Sequence, residues 1–221
     1  RIWERTARRA GLPLVYSQGF HPQPKIQIAA ALPLGFSSRA ELVDIWLDAE
    51  CEDSSLCPEV RPLQGASRRL RTPDIQTALQ NAAPPGLTVL AIENVDEHGP
   101  ALQTQVTAAE YEVTLHEAVD EADLTHNLSA VLEAESLPRE RRGKAYDLRP
   151  LIELLHLLPC PPTPLPPRST TPLLLMRLTA REAATGRPEE VLDAIGIPPE
   201  TARIERSRLI LKSEGILKNP N

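Results

Sequence analysis

The chain has 221 residues, 24 Lys/Arg against 30 Asp/Glu, 23 Pro, 3 Cys and seven aromatics, with 41% apolar residues and a net charge of −6. So few aromatics disfavour an aromatic-rich stacking platform or an all-β sandwich, and the apolar fraction excludes disorder throughout. No apolar run reaches the 18 or so residues of a membrane helix and no export signal opens the chain, so the expectation is a cytoplasmic protein without a membrane partner.

Arg1 to Ala10 place Ile2, Trp3, Ala7 and Ala10 at helical spacing, and Gly11 with Pro13 ends the pattern. Because the chain begins with Arg inside this helix, the expectation is that an upstream stretch is missing. A loop from Ser17 to Pro24 precedes KIQIAAALPLG and ELVDIWLD, which read as two strands turning near Gly35. Thr72 caps a predicted helix starting at Pro73, and LTVLAIENV from Leu87 reads as a strand.

The second half gives the strand EYEVTLHE, a helix from about Glu121 to Ser136, an extended AYDLRPLIELLHL and the strand TPLLLMRLTA. A helix from Pro188 to Ile195, stopped by Gly196, precedes the last strand, ARIERSRLIL. The predicted class is α+β, with two tandem ferredoxin-like βαββαβ modules, the first missing its N-terminal strand. They span 1–98 and 109–221, the second with six prolines between Pro159 and Pro167 in a hairpin loop. That loop reads as a stiff connector or as a ligand for a proline-recognising partner.

The net charge hides blocks. Arg1, Arg5, Arg8, Arg9, Lys25 and Arg39 stand against Glu4 alone in the first 40 residues. Arg61, Arg68, Arg69 and Arg71 make a second block, and residues 139–149 a third. Residues 93–138 hold eleven carboxylates and neither Lys nor Arg. Each block reads either as a solvated face or as a phosphate-binding surface, since clustering matters more than net charge for polyanions.

The densest cluster of unusual residues is Tyr16 to Lys25, where Gly19 permits a positive φ, Pro22 and Pro24 stiffen the chain, and Tyr16, Ser17, Gln18, His21 and Lys25 supply polar groups. It suits a small anion or a base, or it is a connector whose Phe20 plugs the core. Lys144, Asp147 and Arg149 lie close together; on an extended strand Asp147 and Arg149 share a face and could pair with each other or with Arg203 and Arg206. Cys51, Cys57 and Cys160 are odd in number and unevenly spaced, which suits reduced thiols better than a disulfide framework. There is no glycine-rich phosphate loop, no His-Glu-x-x-His and no Cys-x-x-x-Cys-x-x-Cys triplet, so neither a catalytic constellation nor a metal site is expected.

The stretch from Glu4 to Leu47, with GFHPQPK at Gly19 to Lys25, together with GKAYDLRPLI and RPEEVLDAIGIPPETARIERSRL, resembles the uncharacterised family of radical SAM-associated (radical SAM-linked) proteins. The resemblance implies an accessory domain, alone or fused behind a radical SAM module. The iron–sulfur cluster and S-adenosylmethionine would then belong to that partner, and this chain would carry no cofactor. The expected function is substrate recognition without catalysis, with RNA or a ribosome-related target as the expected ligand, through Arg8, Arg9, Tyr16, Ser17, Gln18, Gly19, Phe20, His21, Lys25, Lys144, Asp147, Arg149, Arg203 and Arg206. The alternative is a protein-interaction scaffold docking a partner through the acidic segment and the proline loop.

Overall fold

The structure is a computed structural model that describes residues 1–48, 71–116, 119–158, 173–181 and 184–212. It has a mixed α+β architecture dividing into two compact units. One comprises Arg1–Gln27 and Val43–Ala101, the other Ile28–Leu42 and Leu102–Asn221. The chain thus enters the second unit early, returns to the first, and then leaves it for good.

In the first unit, helix α1 (Ile2–Arg9) packs on α2 (Thr72–Ala82), burying Thr6, Ala7 and Leu79. Gly11, at φ +66°, closes α1: its N–H donates to the Arg8 carbonyl and Leu12 N–H to the Ala7 carbonyl, a left-handed stop that favours glycine. Ile2, expected on the inner face, is 52% exposed, because Trp3, Thr6, Ala7 and Ala10 form the inward stripe and leave Ile2 on its flank. Thr72 lies inside α2 rather than at its cap. Arg71 holds the N-cap position, and its guanidinium pairs with Asp74 at 3.0 Å.

The two strands expected before and after Gly35 shrink to a ribbon of β1 (Ile26–Ile28) and β3 (Val43–Ile45). Between them, β2 (Ser37–Ser38) belongs to the second unit. The strand expected from Leu87 does not form. Its alternation is genuine, but side chains of α2 satisfy its backbone: the Gln76 amide donates to the Val89 and Leu90 carbonyls, and Val89 N–H donates to Gln80 Oε1 at 2.8 Å. A four-stranded sheet in the first unit is therefore absent among the described residues.

The second unit opens with a single turn, α3 (Leu102–Gln105), running into β4 (Val106–Leu115). Helix α4 (Glu121–Glu133) follows, its first N–H groups capped by the Asp120 carboxylate, which accepts from Ala122 and Asp123. Next come a tight hairpin, β5 (Pro138–Arg141) and β6 (Lys144–Asp147), and then β7 (Ile152–Leu158). The long pair β8 (Leu173–Arg181) and β10 (Ala202–Leu211) brackets the short β9 (Ala184–Thr185) and helix α5 (Pro188–Ala194).

The main sheet runs β2-β10-β4-β8-β7, antiparallel except for the parallel β2–β10 pair. Alternation on β4 sends Tyr111, Val113 and Leu115 to the side covered by the helices, with Leu174, Met176 and Leu178 from β8 and Val191 and Leu192 from α5. The intervening positions carry ions: Arg177 pairs with Glu110 at 2.6 Å, and Arg39 pairs with Glu112 and Glu205.

The most deeply buried tie between segment 28–42 and this unit is made by one residue. Arg206, 2% exposed, donates from Nε to Glu41 Oε1 at 2.8 Å, bonds Glu41 Oε2, and donates to the Ala30 carbonyl at 2.8 Å. Phe36 meets Tyr111 edge to face at 6.2 Å, and burial pushes the Tyr111 phenol up from its ordinary value. Removing either partner leaves a charge in a water-poor site. Arg206→Met should cost about 3 to 5 kcal/mol, and Glu41→Gln, which keeps an acceptor, less; urea unfolding checks this, and an unchanged midpoint for Arg206→Met would contradict it.

No described helix is long and apolar enough to cross a membrane. The cysteines, the proline run 159–167 and Arg61, Arg68 and Arg69 lie outside the described residues.

Candidate nucleic-acid interface

The sequence-predicted site residues separate into two groups with different fates. In the first unit, Arg1, Arg5, Arg8 and Arg9 sit at i, i+4, i+7 and i+8 of α1 and form one exposed stripe opposite its buried face. Arg8 and Arg9 fall in the last turn, where the carbonyl end of the helix favours cations. That preference accounts for two positive charges without a ligand. It does not account for Arg1 and Arg5 at the other end.

Beyond α1 the chain forms a braced loop. Tyr16 bridges Pro24 in antiparallel fashion, Ser17 N–H donates to the Gln23 carbonyl at 2.8 Å, and Gln23 N–H donates back to Ser17 Oγ at 3.0 Å. Lys25 N–H donates to the Val15 carbonyl, and the Lys25 carbonyl accepts from Trp46 N–H, so the base of the loop is tied to two neighbouring segments. Gln18 to Pro22 stand past the last of these bonds and are exposed, and Gly19 at φ +143° permits the reversal. Phe20 does not plug the core as the connector reading supposed. It is 103% exposed at the tip.

Helix and loop meet at one contact: the Arg8 guanidinium lies 5.9 Å from the centre of the Tyr16 ring while also pairing with Glu4 at 3.0 Å. Among the described residues, no acid lies within ion-pair distance of Arg1, Arg5, Arg9 or Lys25. A shallow cleft between the ends of α1 and α2, lined by Arg9, Asn81 and Pro84, flanks the stripe. His21 is exposed and, among the described residues, has no side-chain hydrogen bond or ion pair, so nothing near it supplies an acid–base partner.

In the second unit Asp147, Arg149 and Arg206 are occupied by the fold. Asp147 does not pair with the Arg149 guanidinium; its Oδ1 accepts Leu137 N–H at 2.7 Å and Arg149 N–H at 2.9 Å, and these bonds hold its carboxyl below the usual range. The extended strand assumed there is broken by a short turn at Arg149–Leu151. Arg149 donates twice to the Leu132 carbonyl and once to that of Ile152. Arg206 is the buried lock described above, and Arg203 pairs with Glu205 at 3.5 Å. Lys144 remains exposed at the hairpin, beside Arg142 at φ +53° and Gly143 at φ +75°, the two-residue turn that matches strand twist.

Sequence reasoning missed Arg141, whose guanidinium grips Glu190 at 2.7 Å, the Thr185 carbonyl and the Tyr146 hydroxyl, with its carbon 4.8 Å from the Tyr146 ring centre. It also missed Arg39. Alternating charges on β4 and β8 were the available signal for the sheet-face ion pairs, but no local pattern points from residue 39 to residue 205. Among the described residues, no three His, Cys, Asp or Glu side chains gather to hold a metal.

Residues 1–188 match a family described as an uncharacterised protein conserved in bacteria (DUF2344). No curated protein and no solved structure matches the chain.

Asp147 offers a pH test of its structural role. Its lowered folded pKa means that its stabilisation is present above the ordinary carboxylate value of about 3.9 and fades as pH falls through the folded value. Asp147→Asn keeps the acceptor but cannot titrate, so the loss of stability below about pH 4 should become shallower in urea midpoints taken across an acid series. An identical acid limb in wild type and variant would contradict this.

Proposed function

The chain belongs to that uncharacterised bacterial family, and from this premise we propose that it is a non-catalytic recognition domain that works beside a radical SAM enzyme and binds RNA through its first unit. The observation that carries the RNA reading is the Arg8–Tyr16 contact, which brings the arginine stripe of α1 and the Tyr16–Lys25 loop onto one surface. Arginines and a lysine without acid partners neutralise phosphates and release counterions, and exposed aromatic rings beside them accept bases. The association with a radical SAM enzyme rests on the resemblance carried by GFHPQPK, GKAYDLRPLI and the C-terminal motif; cluster and S-adenosylmethionine would be the enzyme's.

We assign the second unit the ferredoxin-like arrangement. Its support is the strand order β10-β4-β8-β7, antiparallel throughout, with α4 between β4 and β7 and α5 between β8 and β10. In this reading that unit is a scaffold. Arg39, Arg141, Arg149, Arg177 and Arg206 are engaged within it, while Arg142, Arg181, Arg187 and Arg208 are exposed on it, so the assignment of the ligand to the first unit rests on the Arg8–Tyr16 surface. In the scaffold alternative a partner docks on the acidic segment, of which Glu110 and Glu112 are already paired with Arg177 and Arg39.

A salt series decides between contact and bystander. The triple variant Arg5→Ala, Arg9→Ala, Lys25→Ala should weaken RNA binding for all sequences alike and flatten the plot of log affinity against log salt, by about 0.7 per lost phosphate contact on a single strand. Fluorescence anisotropy with labelled RNA measures both. Unchanged affinity and slope would remove the first unit from the interface.

A further inference from the structure

We infer that Phe20 is a stacking platform for an unpaired nucleobase, which makes the ligand of the first unit single-stranded rather than duplex RNA; this rests on the RNA reading above. The starting observation is the 103% exposure of Phe20 in a chain with only seven aromatics. A phenyl ring held wholly in water forgoes the burial that usually decides where phenylalanine sits. Loose loops expose side chains by default, but this loop is braced.

The bracing is specific. The Tyr16–Pro24 bridge and the two Ser17–Gln23 bonds close the loop, and Pro22 and Pro24 fix φ on the outgoing side. The feet of the loop are therefore fixed, which confines the conformational freedom to be lost on binding to the short span from Gln18 to Pro22. Gly19, at φ +143°, has no atom within 4 Å of where a Cβ would lie, so its reversal leaves the approach to the tip open.

Cations stand at the feet of the loop that carries the platform. Lys25 lies at the foot of the loop, Arg8 reaches Tyr16 at the opposite foot, and Arg5 and Arg9 continue along α1. Phosphates run along such a track while a base turns out onto the ring, and stacking of this kind tolerates any base because each has a π face. In duplex RNA the bases are already stacked and paired, and a protruding side chain reaches only backbone and grooves. A platform at the tip of a loop selects unpaired nucleotides.

The test uses the full chain and two probes of equal length, a labelled single-stranded oligoribonucleotide and its duplex. Wild type should prefer the single strand. Phe20→Ala should lose about ten-fold or more of single-strand affinity with duplex binding and salt slope unchanged, and Phe20→Trp should retain it. Thermal unfolding should be the same for all three proteins, since the side chain contacts no core. Equal binding of both probes, with Phe20→Ala as tight as wild type, overturns the stacking role and leaves the RNA reading standing. No binding of either probe overturns both. If neither probe is affected but Phe20→Ala abolishes association with a purified radical SAM enzyme, the tip is a protein contact and the inference is wrong.

Discussion

The buried pair of Arg206 and Glu41 is the constraint on which the rest of the second unit depends. A guanidinium that is 2% exposed has no water to serve its donors, so protein atoms must, and they come from the Glu41 carboxylate and the carbonyls of Ala30 and Ala31. Those partners lie 165 to 176 residues upstream. Satisfying one side chain of the last strand therefore obliges segment 28–42 to leave the first unit and lie along β10, where Ser37 and Ser38 pair parallel with Glu205 and Arg206. The remaining contacts follow from that position: Arg39 N–H donates to the Arg206 carbonyl, its guanidinium meets Glu112 and Glu205, and Phe36 reaches Tyr111.

The same constraint changes how the charges read. Arg39, Arg141 and Arg149 fall in basic blocks of the sequence and Arg206 among its candidate site residues, yet each has carboxylate or carbonyl partners within the second unit. Neither the net charge of −6 nor the blocks along the chain reveal this. What separates a binding arginine from a structural one is whether its donors are already taken. By that criterion Arg1, Arg5, Arg9 and Lys25 differ from Arg149, Arg177 and Arg206, whereas Arg8 already pairs with Glu4, and Lys144, Arg181 and Arg208 stand exposed in the second unit.

Elements with strong internal period were legible. The alternation of β4, β8 and β10 and the spacing of Leu124 and Leu128 in α4 follow from burying one face, and the structure places them within a few residues of expectation. Where a segment's backbone finds side-chain partners, the pattern misleads: residues after Leu87 alternate like a strand, but Gln76 and Gln80 take the place of a neighbouring strand. The β5–β6 hairpin was hidden because its turn is two residues, Arg142 and Gly143, inside a stretch that reads as extended. The loop from Tyr16 to Lys25 was legible as a rigid polar turn from its Gly and Pro. Its contact with α1 was not, because a cation over a ring between Arg8 and Tyr16 is set by how Gly11 redirects the chain rather than by spacing.

The claim that Arg206 holds segment 28–42 in the second unit is tested most directly by hydrogen exchange on wild type and Arg206→Met. The amides of Ala29 and Arg39, bonded to the Leu42 and Arg206 carbonyls, should exchange much faster in the variant, while those of β4 and β8, paired from Ala108 to Thr114, keep their protection. Unchanged protection at Ala29 and Arg39, or a uniform loss across the sheet, would contradict it.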